Sequence, residues 1–491
     1  MEFTAIINAL EPYICGVTGR ENPICGLTCD SRQVEPGFAF AAIPGGQQDG
    51  HDFIAEAVGR GAALILAERE AELPAGVGLI RVGDSRRALA ALAAAFYGYP
   101  DRGLGLIGVT GTNGKTTTAH LVKYLLERSG RPCGLIGTLG AWAGGEKLAD
   151  LDSASTTPES PELFRLFAQM RERGCERAVI EASSHALEQG RTSACRFQGA
   201  VFTNLTQDHL DYHKTMEAYG QAKATLFSQL NELGWGAVNL DDKYAACFTQ
   251  ACRCRLYTYG ETDRADLRLL QYSASMKGMD FTVSWEGRSY PLHIPFVGRF
   301  NIYNALAALC AGLGEDLDLA DMADWLAEAP QIPGRFELID EGQSFAVVVD
   351  YAHTPDGLEN LLRTVRSLKP RRVITVFGCG GDRDTGKRPL MGRIAGQYSD
   401  VTVLTSDNPR FEDPQAILEM VEAGIREVCN NYLVEERQER AIPLALNMAQ
   451  TGDIVVIAGK GHEDYQLIQG VSHHFDDREQ ARAALRARID Q

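Results

Sequence analysis

The sequence predicts an α/β protein of three domains, and three observations support this prediction. The chain has 491 residues, more than a single hydrophobic core usually serves. Short apolar runs alternate with helical patterns, as in parallel sheets covered by helices. Polar segments follow several of these runs, which places candidate site residues at the carboxyl ends of strands. We expect a small N-terminal α/β domain at 1–98, a central P-loop ATPase-like domain with a parallel sheet at 99–333, and a C-terminal Rossmann-like, doubly wound domain at 334–491.

The composition excludes several classes of protein. With 45% hydrophobic and 23% charged residues, the chain has the profile of a folded globular protein. Its net charge of −17 disfavours nucleic acid as a partner. The N-terminus lacks the pattern of a signal peptide, and no apolar run reaches the roughly 20 residues that cross a bilayer. We therefore expect a cytoplasmic protein without membrane insertion, a monomer, and reduced thiols at its twelve scattered cysteines.

The first predicted domain contains three short apolar runs separated by turns. The runs are FAFAAIP, AALILAE and GLIRV, and a helical pattern, SRRALAALAAAFYG, follows them. The segment YGYPDRG, with Pro100 and Gly103, is typical of a linker. A small α/β unit therefore precedes the central domain.

The second predicted domain begins with a phosphate-binding pattern. The strand LGLIGVT is followed by GTNGKTT, from Gly111 to Thr117, and then by a helical segment. The strict pattern GxxxxGK[ST] fails because Val109 occupies the place of the first glycine, so the loop is a shortened variant. Backbone amides at a helix N-terminus surround phosphate oxygens. We expect Lys115 to reach the outer phosphates and Thr116 to bind Mg²⁺.

Two further strands, AVIEA and GAVFTN, bring polar residues towards this loop. Glu181 ends the first of them, and a carboxylate at that place suits Mg²⁺, which takes oxygen ligands. His209 and His213 are four residues apart and could share one helix face, which is a zinc-like spacing. We reject zinc because there is no HExxH motif and no nearby cysteine pair. One imidazole can join a magnesium site, and we expect His213 to be the one that packs or caps.

Lys223 lies in the apolar segment AKATLF, where an amine tends to lose its proton. A neutral amine can be carbamylated, and the carbamate would be an anionic oxygen ligand for a second Mg²⁺. From the residues alone, an ordinary helix lysine whose amine reaches solvent is the favoured interpretation.

The third predicted domain has four apolar strands: FAVVVD, RVITVF, VTVLT and DIVVIA. Helical patterns begin near Pro355, Lys387 and Pro414. Such alternation predicts a mostly parallel, doubly wound sheet. The strands end in YAHTPD, GCGGDRD, SDNPR and GKGHEDYQ, so four polar strand ends on one sheet edge should form a pocket.

The motifs GTNGKTT, FTNLTQDHLDYH, VVDYAHTPD, FGCGGDRDTGKRPLMG, DNPR and AGKGHEDYQ together closely resemble those of the Mur ligases, from about residue 27 to 480. The resemblance implies an ATP-dependent, Mg²⁺-requiring ligase of peptidoglycan precursor synthesis. Its substrates would be ATP, UDP-N-acetylmuramoyl-L-alanyl-D-glutamate and meso-2,6-diaminopimelate. The D-glutamate side carboxylate would be phosphorylated, and the amine would displace phosphate from the acyl phosphate.

The resemblance also implies roles for individual residues. Lys223 falls on the family's carbamylated lysine, which reverses the interpretation from the residues alone. Implied catalytic residues are Lys115, Glu181, His209 and Lys223, and the metal ligands are Thr116, Glu181, His209 and carbamylated Lys223. The implied ATP site comprises Gly111, Thr112, Asn113, Gly114, Lys115, Thr116, Thr117, Asn301, Asn304, Arg335 and Asp350.

Two further sites are implied in the same way. The site for the uridine nucleotide and its peptide comprises Cys29, Ser31, Gly46, Gln47, Gln48, Thr156, Thr157, Ser183, Gln189 and Arg191. Cys29 stands where a leucine is common, which puts one packing contact in doubt. The diaminopimelate site comprises Arg383, Asp407, Asn408, Pro409, Arg410, Gly459 and Glu463. A planar guanidinium binds a carboxylate by two parallel hydrogen bonds, so Arg410 suits the distal carboxylate that lysine lacks.

Three alternatives stay open. A lysine-adding ligase of the same family could share most motifs, although Arg410 speaks against it. Folylpolyglutamate synthase would share the phosphate loop but not the segment DNPR. A P-loop ATPase that drives a conformational change in a partner would need no diamino-acid pocket, and it would hydrolyse ATP without amino acid.

Overall fold

The computed structural model describes residues 1–45, 48–151, 156–275 and 277–489. Within these ranges the strands form sheets of five, eleven and six strands and one separate two-stranded hairpin. No helix in the described ranges is both long enough and apolar enough to span a membrane. The three large sheets follow one another along the chain, as the predicted three-part organisation requires.

The five-stranded sheet has the order β1-β5-β4-β3-β2, and β1 is its antiparallel edge strand. The predicted apolar runs are β3, β4 and β5, and the predicted helix is α3, whose first turn is capped by the Asp84 carboxylate. These predictions are confirmed. The elements are α1 Phe3–Leu10, β1 Ile14–Gly19, β2 Gly26–Thr28, β3 Phe38–Ala41, α2 Ile54–Gly59, β4 Leu64–Ala67, β5 Gly78–Val82 and α3 Ser85–Phe96.

The eleven-stranded sheet contains the phosphate loop at its centre. Its first elements are β6 Gly105–Thr110, α4 Lys115–Arg128, β7 Cys133–Gly137, β8 Gly140–Ala143, β9 Glu146–Ala149, α5 Ser160–Glu172, β10 Arg177–Glu181, α6 Ser184–Glu188, β11 Phe197–Phe202, α7 Leu210–His213 and α8 Met216–Ser228. The remaining elements are β12 Leu230–Asn239, α9 Ala245–Ala251, β13 Arg255–Gly260, β14 Leu267–Ser275, β15 Gly278–Trp285, β16 Arg288–Ile294, α10 Arg299–Gly314 and α11 Leu319–Leu326.

This sheet is mixed, whereas the sequence predicted a parallel one. The order is β16-β15-β14-β13-β12-β11-β6-β10-β7-β8-β9, and the seven strands from β14 to β7 are parallel. Both edges are antiparallel hairpins. The physical reason is the short connections, which cannot make the crossover that parallel strands need. Between β15 and β16, Glu286 and Gly287 both have positive φ (48° and 75°), as tight hairpin turns require.

The six-stranded sheet has the order β17-β18-β22-β19-β20-β21, and all its strands except β17 are parallel. The four predicted strands are β18, β19, β20 and β22, and helices begin at Pro355, Lys387 and Pro414, so these predictions are confirmed. The elements are β17 Glu337–Leu338, β18 Ala346–Asp350, α12 Pro355–Ser367, β19 Val373–Phe377, α13 Lys387–Tyr398, β20 Val401–Leu404, α14 Pro414–Arg426, β21 Tyr432–Val434, α15 Gln438–Met448, β22 Ile454–Ala458, β23 Tyr465–Ile468, β24 Val471–His474 and α16 Asp477–Ile489.

The first and second sheets share a hydrophobic core. Leu89 and Leu92 of α3 belong to the same buried cluster as Phe164 and Phe167 of α5. Burial of large apolar side chains contributes roughly 1.5–3 kcal/mol each. This shared core fixes the N-terminal sheet against the central one, on the side where β10 ends.

Candidate active site

The phosphate loop is a tight turn from β6 into α4 that depends on two glycines. Gly111 and Gly114 have φ of 148° and 86°, which side chains rarely adopt. A Cβ on Gly111 would overlap the Thr203 hydroxyl, and one on Gly114 would overlap the Asn304 side chain. The glycines therefore let the backbone curl closely in front of the helix, where its amides can meet an anion.

Lys115 is the first residue of α4, and its side chain turns back along the loop. Its Nζ donates to the carbonyl oxygens of Gly111 at 2.9 Å and Thr112 at 2.8 Å. Burial lowers the pKa of this amine, although the carboxylates of Glu181 and Asp208 oppose the shift. The loop thus holds the lysine against its own carbonyl groups, beside the backbone amides that phosphate oxygens would meet.

Glu181 ends β10, the strand next to β6, and is completely buried. Its Oε2 accepts hydrogen bonds from the hydroxyls of Thr116 at 2.9 Å and Thr138 at 3.1 Å. The amide of Thr138 donates to Oε1 at 2.9 Å. From the opposite side, Arg335 donates to the Thr116 hydroxyl at 3.1 Å. A carboxylate and a hydroxyl are therefore in contact at the first turn of α4, where a hard cation would find oxygen ligands.

Lys223 lies on α8 and is 1% exposed, so the interpretation of a lysine reaching solvent is wrong. Its Nζ donates to the carbonyl oxygen of Gly111 at 2.7 Å and lies 4.7 Å from the centre of the Tyr219 ring. Burial lowers the pKa of this amine well below its usual range, and the nearby Lys115 lowers it further. Neutral amines react with CO₂, so the surroundings of Lys223 favour the chemistry of carbamylation.

The two histidines do not share a helix face, which corrects the prediction from their spacing. His209 has a left-handed backbone with φ of 52° and precedes α7, whereas His213 is the last residue of that helix. The left-handed backbone takes His209 out of the helix, although its carbonyl oxygen accepts from the His213 amide at 2.9 Å and both rings contact His185. His213 is buried between Ser184 at 2.9 Å and Glu188 at 3.0 Å, which confirms that it packs.

The imidazole of His209 faces the loop side of the site. The side chain is 47% exposed, and the partial burial of the ring lowers the pKa of His209; Asp208 opposes this shift, and His185, Lys115 and Lys223 reinforce it. Its ring centre lies 4.9 Å from that of His185. At neutral pH the ring is uncharged, which is the form that can bind a metal ion.

The residues implied to contact the muramoyl peptide lie together behind Glu181. The Thr157 hydroxyl donates to the Glu181 carbonyl at 2.7 Å, and the Ser183 amide donates to that hydroxyl at 3.1 Å. Arg191 donates to the Thr157 carbonyl at 2.8 Å and to the Gln189 side chain at 3.1 Å. Thr156, next to Thr157, is half-buried. These side chains form one polar wall beside the phosphate loop.

The residues implied to hold the uridine nucleotide lie in the first sheet's loops. The Ser31 hydroxyl is buried and donates to Glu56 at 2.7 Å. Burial raises the pKa of Cys29 to about 12, an effect that Glu159 reinforces and Arg191 opposes, so this thiol faces the central domain. Gln48 is exposed, and Gly46 and Gln47 lie outside the described residues.

The implied nucleotide site lies at the domain junctions, where it is bounded by Arg335, Asp350 and two asparagines. On α10, Asn304 donates to Asn301 at 3.0 Å, behind Gly114. Arg335 lies 4.6 Å from the centre of the Tyr351 ring, in addition to its bond to Thr116. Burial raises the pKa of Asp350 at the end of β18, and Arg335 opposes that shift. Groups from the C-terminal sheet thus lie within bonding distance of the phosphate loop.

Asp356 also contacts the phosphate loop at this domain junction, although no role was predicted for it from the sequence. Its carboxylate accepts hydrogen bonds from Asn113 of the phosphate loop at 2.7 Å and from Thr206 at 3.4 Å. The residue lies in the first turn of α12, after the strand end YAHTP, where its acidic side chain could pass for an ordinary helix start. The sequence signal that could have identified Asp356 was its position at a polar strand end.

The segment 407–410, which the resemblance implies for the amino acid, contacts the residues that follow β22. Asn408 donates to Glu463 at 2.9 Å, and Gly459, with φ of 126°, passes close to Asp407. Arg410 has φ of 53°, and its Nη1 donates to the Gly381 carbonyl at 2.7 Å.

Two other implied pocket residues differ in position. Pro409 packs closely against Gly381, at which a Cβ would overlap the Pro409 carbonyl oxygen. Arg383 is exposed, and its Nη1 donates to the carbonyl oxygen of its neighbour Asp382 at 3.4 Å. The structure therefore brings Asn408 and Glu463 into contact beside Asp407, places Arg410 on the same segment, and leaves the Arg383 side chain exposed.

Comparisons with known proteins agree with this three-part arrangement. The Mur ligase middle domain matches residues 109–312, the Mur ligase glutamate ligase domain matches 334–461, and the Mur ligase family catalytic domain matches 23–97. A UDP-N-acetylmuramoyl-L-alanyl-D-glutamate–2,6-diaminopimelate ligase from Geobacillus thermodenitrificans is 48% identical over 474 residues, covering 95% of this chain and 96% of the relative. The enzyme of the same description from Geobacter sulfurreducens is 46% identical, with 94% and 95% covered.

Solved structures show the same likeness. A UDP-N-acetylmuramoyl-L-alanyl-D-glutamate–2,6-diaminopimelate ligase superposes with a TM-score of 0.69 at 34% identity, covering 100% of this chain and 99% of that one. MurF from Acinetobacter baumannii, at 20% identity and a TM-score of 0.67 with 93% and 95% covered, shares the fold. Together with the domain matches across all three sheets, these relatives show that the chain belongs to the Mur ligase family.

Proposed function

We propose that the chain joins meso-2,6-diaminopimelate to UDP-N-acetylmuramoyl-L-alanyl-D-glutamate, with ATP, in the synthesis of peptidoglycan precursors in the cytoplasm. One observation carries the choice of amino acid. Arg410 follows Asp407 and Asn408 on one segment after β20, and Asn408 donates to the Glu463 carboxylate at 2.9 Å, so this strand end presents a cation and anions to a substrate that has both charges at its distal end. Lysine has no carboxylate there, and it would leave the guanidinium without its partner.

The phosphates of ATP would bind at the loop from Gly111 to Thr117. Its support is the close turn at two positive-φ glycines and the start of α4 at Lys115. Asn301, Asn304, Arg335 and Asp350 surround this loop from α10 and the C-terminal sheet. The nucleotide would therefore lie between the central and C-terminal domains.

The reaction needs two displacements at this junction. An oxygen of the D-glutamate side carboxylate attacks the γ-phosphorus of ATP, and ADP leaves. The amine of diaminopimelate then attacks the acyl carbon, phosphate leaves, and the nitrogen loses a proton to give the amide. Lys115 would stabilise the charge on the transferring phosphoryl group, because phosphoryl transfer depends on positioning and charge neutralisation rather than on a protein nucleophile.

Magnesium fits the residues at this site. Mg²⁺, when bound, would neutralise phosphate charge and orient the phosphoryl group. Thr116 and Glu181 already lie 2.9 Å apart with their oxygens at the loop, and neutral His209 offers a nitrogen. Carbamylated Lys223 would add an anionic oxygen donor to this set. The wall of Thr156, Thr157, Ser183, Gln189 and Arg191 would hold the muramoyl peptide, and Cys29, Ser31 and the loop at 46–48 the uridine part.

The proposal is tested by the products that the protein forms. The protein is incubated with ATP, Mg²⁺, the nucleotide dipeptide and either diaminopimelate or lysine, and the product mass is measured. We expect the tripeptide mass with diaminopimelate only, with phosphate release that requires both the dipeptide and the diamino acid. Product with lysine would favour the lysine-adding alternative, and phosphate at full rate with neither substrate would favour the ATPase.

Two lysines of α4 provide a matched pair for the phosphate site. Lys115→Met removes the amine at the loop, and we expect product formation to fall about 1,000-fold or more, as for a lost transition-state charge contact. Lys123→Met, on the same helix, removes an amine that pairs with Glu127 at 2.7 Å, and its activity should stay within about twofold. Equal losses in both variants would contradict the assignment of Lys115.

A further inference from the structure

Lys460 is a fully buried cation within the motif AGKGHEDYQ, and the residues implied for the diaminopimelate site do not include it. Its Nζ donates to the Asp407 carboxylate at 3.1 Å and to the Asn408 side-chain oxygen at 3.2 Å. It also lies 3.8 Å from the Glu463 carboxylate. One buried ammonium therefore contacts all three polar side chains that face the incoming amino acid.

Further bonds make this arrangement rigid. Asn408 donates to Glu463 at 2.9 Å, and its oxygen also accepts from the Leu467 amide at 2.9 Å. The Gln466 side chain donates to the Asp407 carbonyl at 2.7 Å. The pocket is thus a network in which Lys460 has the central place, and a buried charge is tolerated only when paired in this way.

The charge count favours an ammonium ligand. Two carboxylates, Asp407 and Glu463, share a single lysine, so an excess of negative charge faces the pocket. A third carboxyl, Asp477, lies buried behind Lys460 and accepts from Gln438 at 2.8 Å. Burial raises the pKa of Asp477 to about 8, although Lys460 opposes this shift, so near neutral pH this carboxyl carries a proton and does not compete for the lysine.

We propose that Lys460 is a positioning residue for the amino-acid site: it fixes Asp407, Asn408 and Glu463 in one arrangement and keeps Glu463 ionised to receive the ammonium group of the incoming diamino acid. This inference rests on the proposed function of the pocket. Lys460 does not touch the substrate in this role; it acts through its three neighbours.

The ionisation of Glu463 supplies a readout that a purely structural lysine would not move. Burial raises the pKa of Glu463 and Asp407 raises it further, whereas Lys460 and hydrogen bonds with Asn408 and Tyr465 oppose the shift. The pKa of Lys460 is itself raised, because Asp407, Glu463 and Asp477 together outweigh the effect of its burial. The titratable or charged groups that act on Glu463 or share its surroundings are Tyr351, Asp407, Lys460, Tyr465 and Asp477.

The experiment compares Lys460→Met with Lys460→Gln in the full-length protein. At pH 8 we expect Lys460→Met to raise the KM for diaminopimelate at least tenfold and the KM for ATP less than threefold. As the pH is lowered, the KM for diaminopimelate should begin to rise at a higher pH in Lys460→Met than in the native protein, because Glu463 takes up a proton more readily without the lysine. Lys460→Gln keeps hydrogen bonds to Asp407 and Asn408 but not the charge, so it should share the pH effect and show a smaller rise at pH 8.

Lys369→Met is the control, because this lysine is exposed on the same domain. This substitution should leave the KM values for diaminopimelate and ATP within twofold of those of the native protein. Equal rises in the KM values for diaminopimelate and ATP, or a pH profile unchanged by loss of the charge, would overturn the inference. If neither variant at Lys460 unfolds cooperatively, Lys460→Arg carries the test: it keeps the charge, so the pH profile of its KM for diaminopimelate should match that of the native protein, and a profile displaced to higher pH overturns the role.

The proposed function and the role of Lys460 can be refuted separately. If the native protein forms no product with diaminopimelate, the assignment of the pocket's substrate is wrong whatever the variants do. If the native protein forms the product and the variants behave like the control, only the role of Lys460 is wrong.

Discussion

Replacing Arg410 by alanine tests the choice of amino acid directly. Its guanidinium is oriented before any ligand binds, because Nη1 donates to the Gly381 carbonyl at 2.7 Å and the backbone is held by a bridge to Ile468. Gly380 allows this approach, since a Cβ there would lie 2.8 Å from Nη1. An oriented donor loses little rotational freedom on binding, so most of the energy of its contact with a carboxylate should appear in affinity.

The expected magnitude follows from one charge-assisted contact. Such a hydrogen bond contributes about 1.5–3 kcal/mol, and every 1.4 kcal/mol is about tenfold in affinity. Arg410→Ala should therefore raise the KM for diaminopimelate about 10- to 150-fold. The KM for ATP should change less than threefold, because the proposed phosphate site, from Gly111 to Thr117, lies on the central domain and not on the segment that holds Arg410.

The assay measures product formation with each substrate varied in turn, and then compares diaminopimelate with lysine. Lysine lacks the distal carboxylate, so kcat/KM for lysine should be almost unaffected, and the preference for diaminopimelate should shrink by the same factor as its own loss. Arg393→Ala is the control, since this arginine pairs with Glu427 at the surface of α13. Equal rises for ATP and diaminopimelate, or an unchanged preference over lysine, would refute the assignment of Arg410.

Two other predictions concern the buried ionisable groups. Lys223→Ala should lower activity about 100-fold or more, as for a lost catalytic group, and short carboxylic acids should restore part of it; mass spectrometry showing a bare amine in bicarbonate would contradict carbamylation. Burial lowers the pKa of His353 to about 4 from 6.5, and Lys387 lowers it further. The unfolded chain then binds more protons, so His353 contributes stability above pH 6.5 that is lost as the pH falls towards 4. As the pH is lowered over this range, the midpoint of urea unfolding should fall less steeply in His353→Gln than in the native protein. Parallel slopes in the two proteins would contradict the burial argument.

The C-terminal strands were predictable because they are fully buried. FAVVVD, RVITVF, VTVLT and DIVVIA are short runs rich in β-branched residues, bounded by glycine, proline and acidic residues, and each became a parallel strand. The helices were equally clear, since Pro355 and Pro414 mark first turns. Where both faces of a strand are buried, local composition alone carries the signal.

The antiparallel edges of the central sheet were not predicted, because their signal is weak. β14 ends in six consecutive exposed residues, so two-thirds of this strand lacks the apolar run that marked its neighbours. The turn between β15 and β16 requires positive φ at Glu286, where glutamate is unusual. A sheet edge is specified by pairing with the next strand, and pairing does not show in the residues of one segment.

The residues that join the domains were missed for a related reason. Asn113 and Asp356 are 243 residues apart, and Thr116 and Arg335 are 219 apart, so no spacing in the sequence connects them. The left-handed backbone at His209 had the opposite effect, since it broke a spacing that suggested one helix face. Motifs locate the groups at each strand end, whereas contacts between strand ends depend on how the domains meet.

Those contacts link the two halves of the proposed reaction. Asp356 lies in the first turn of α12, which follows the strand β18 whose end carries Asp350, and it bonds to Asn113 of the phosphate loop. Strand β22, which pairs with β18, leads into the segment that holds Glu463. The amino-acid pocket is therefore fixed to the phosphate loop through two adjacent strands and two interdomain hydrogen bonds, at Asp356 and at Arg335. An acyl phosphate is hydrolysed by water unless the amine is already near. Because the proposed pocket is on the domain that contacts the phosphate loop, one motion of this domain would both close over ATP and deliver the amine.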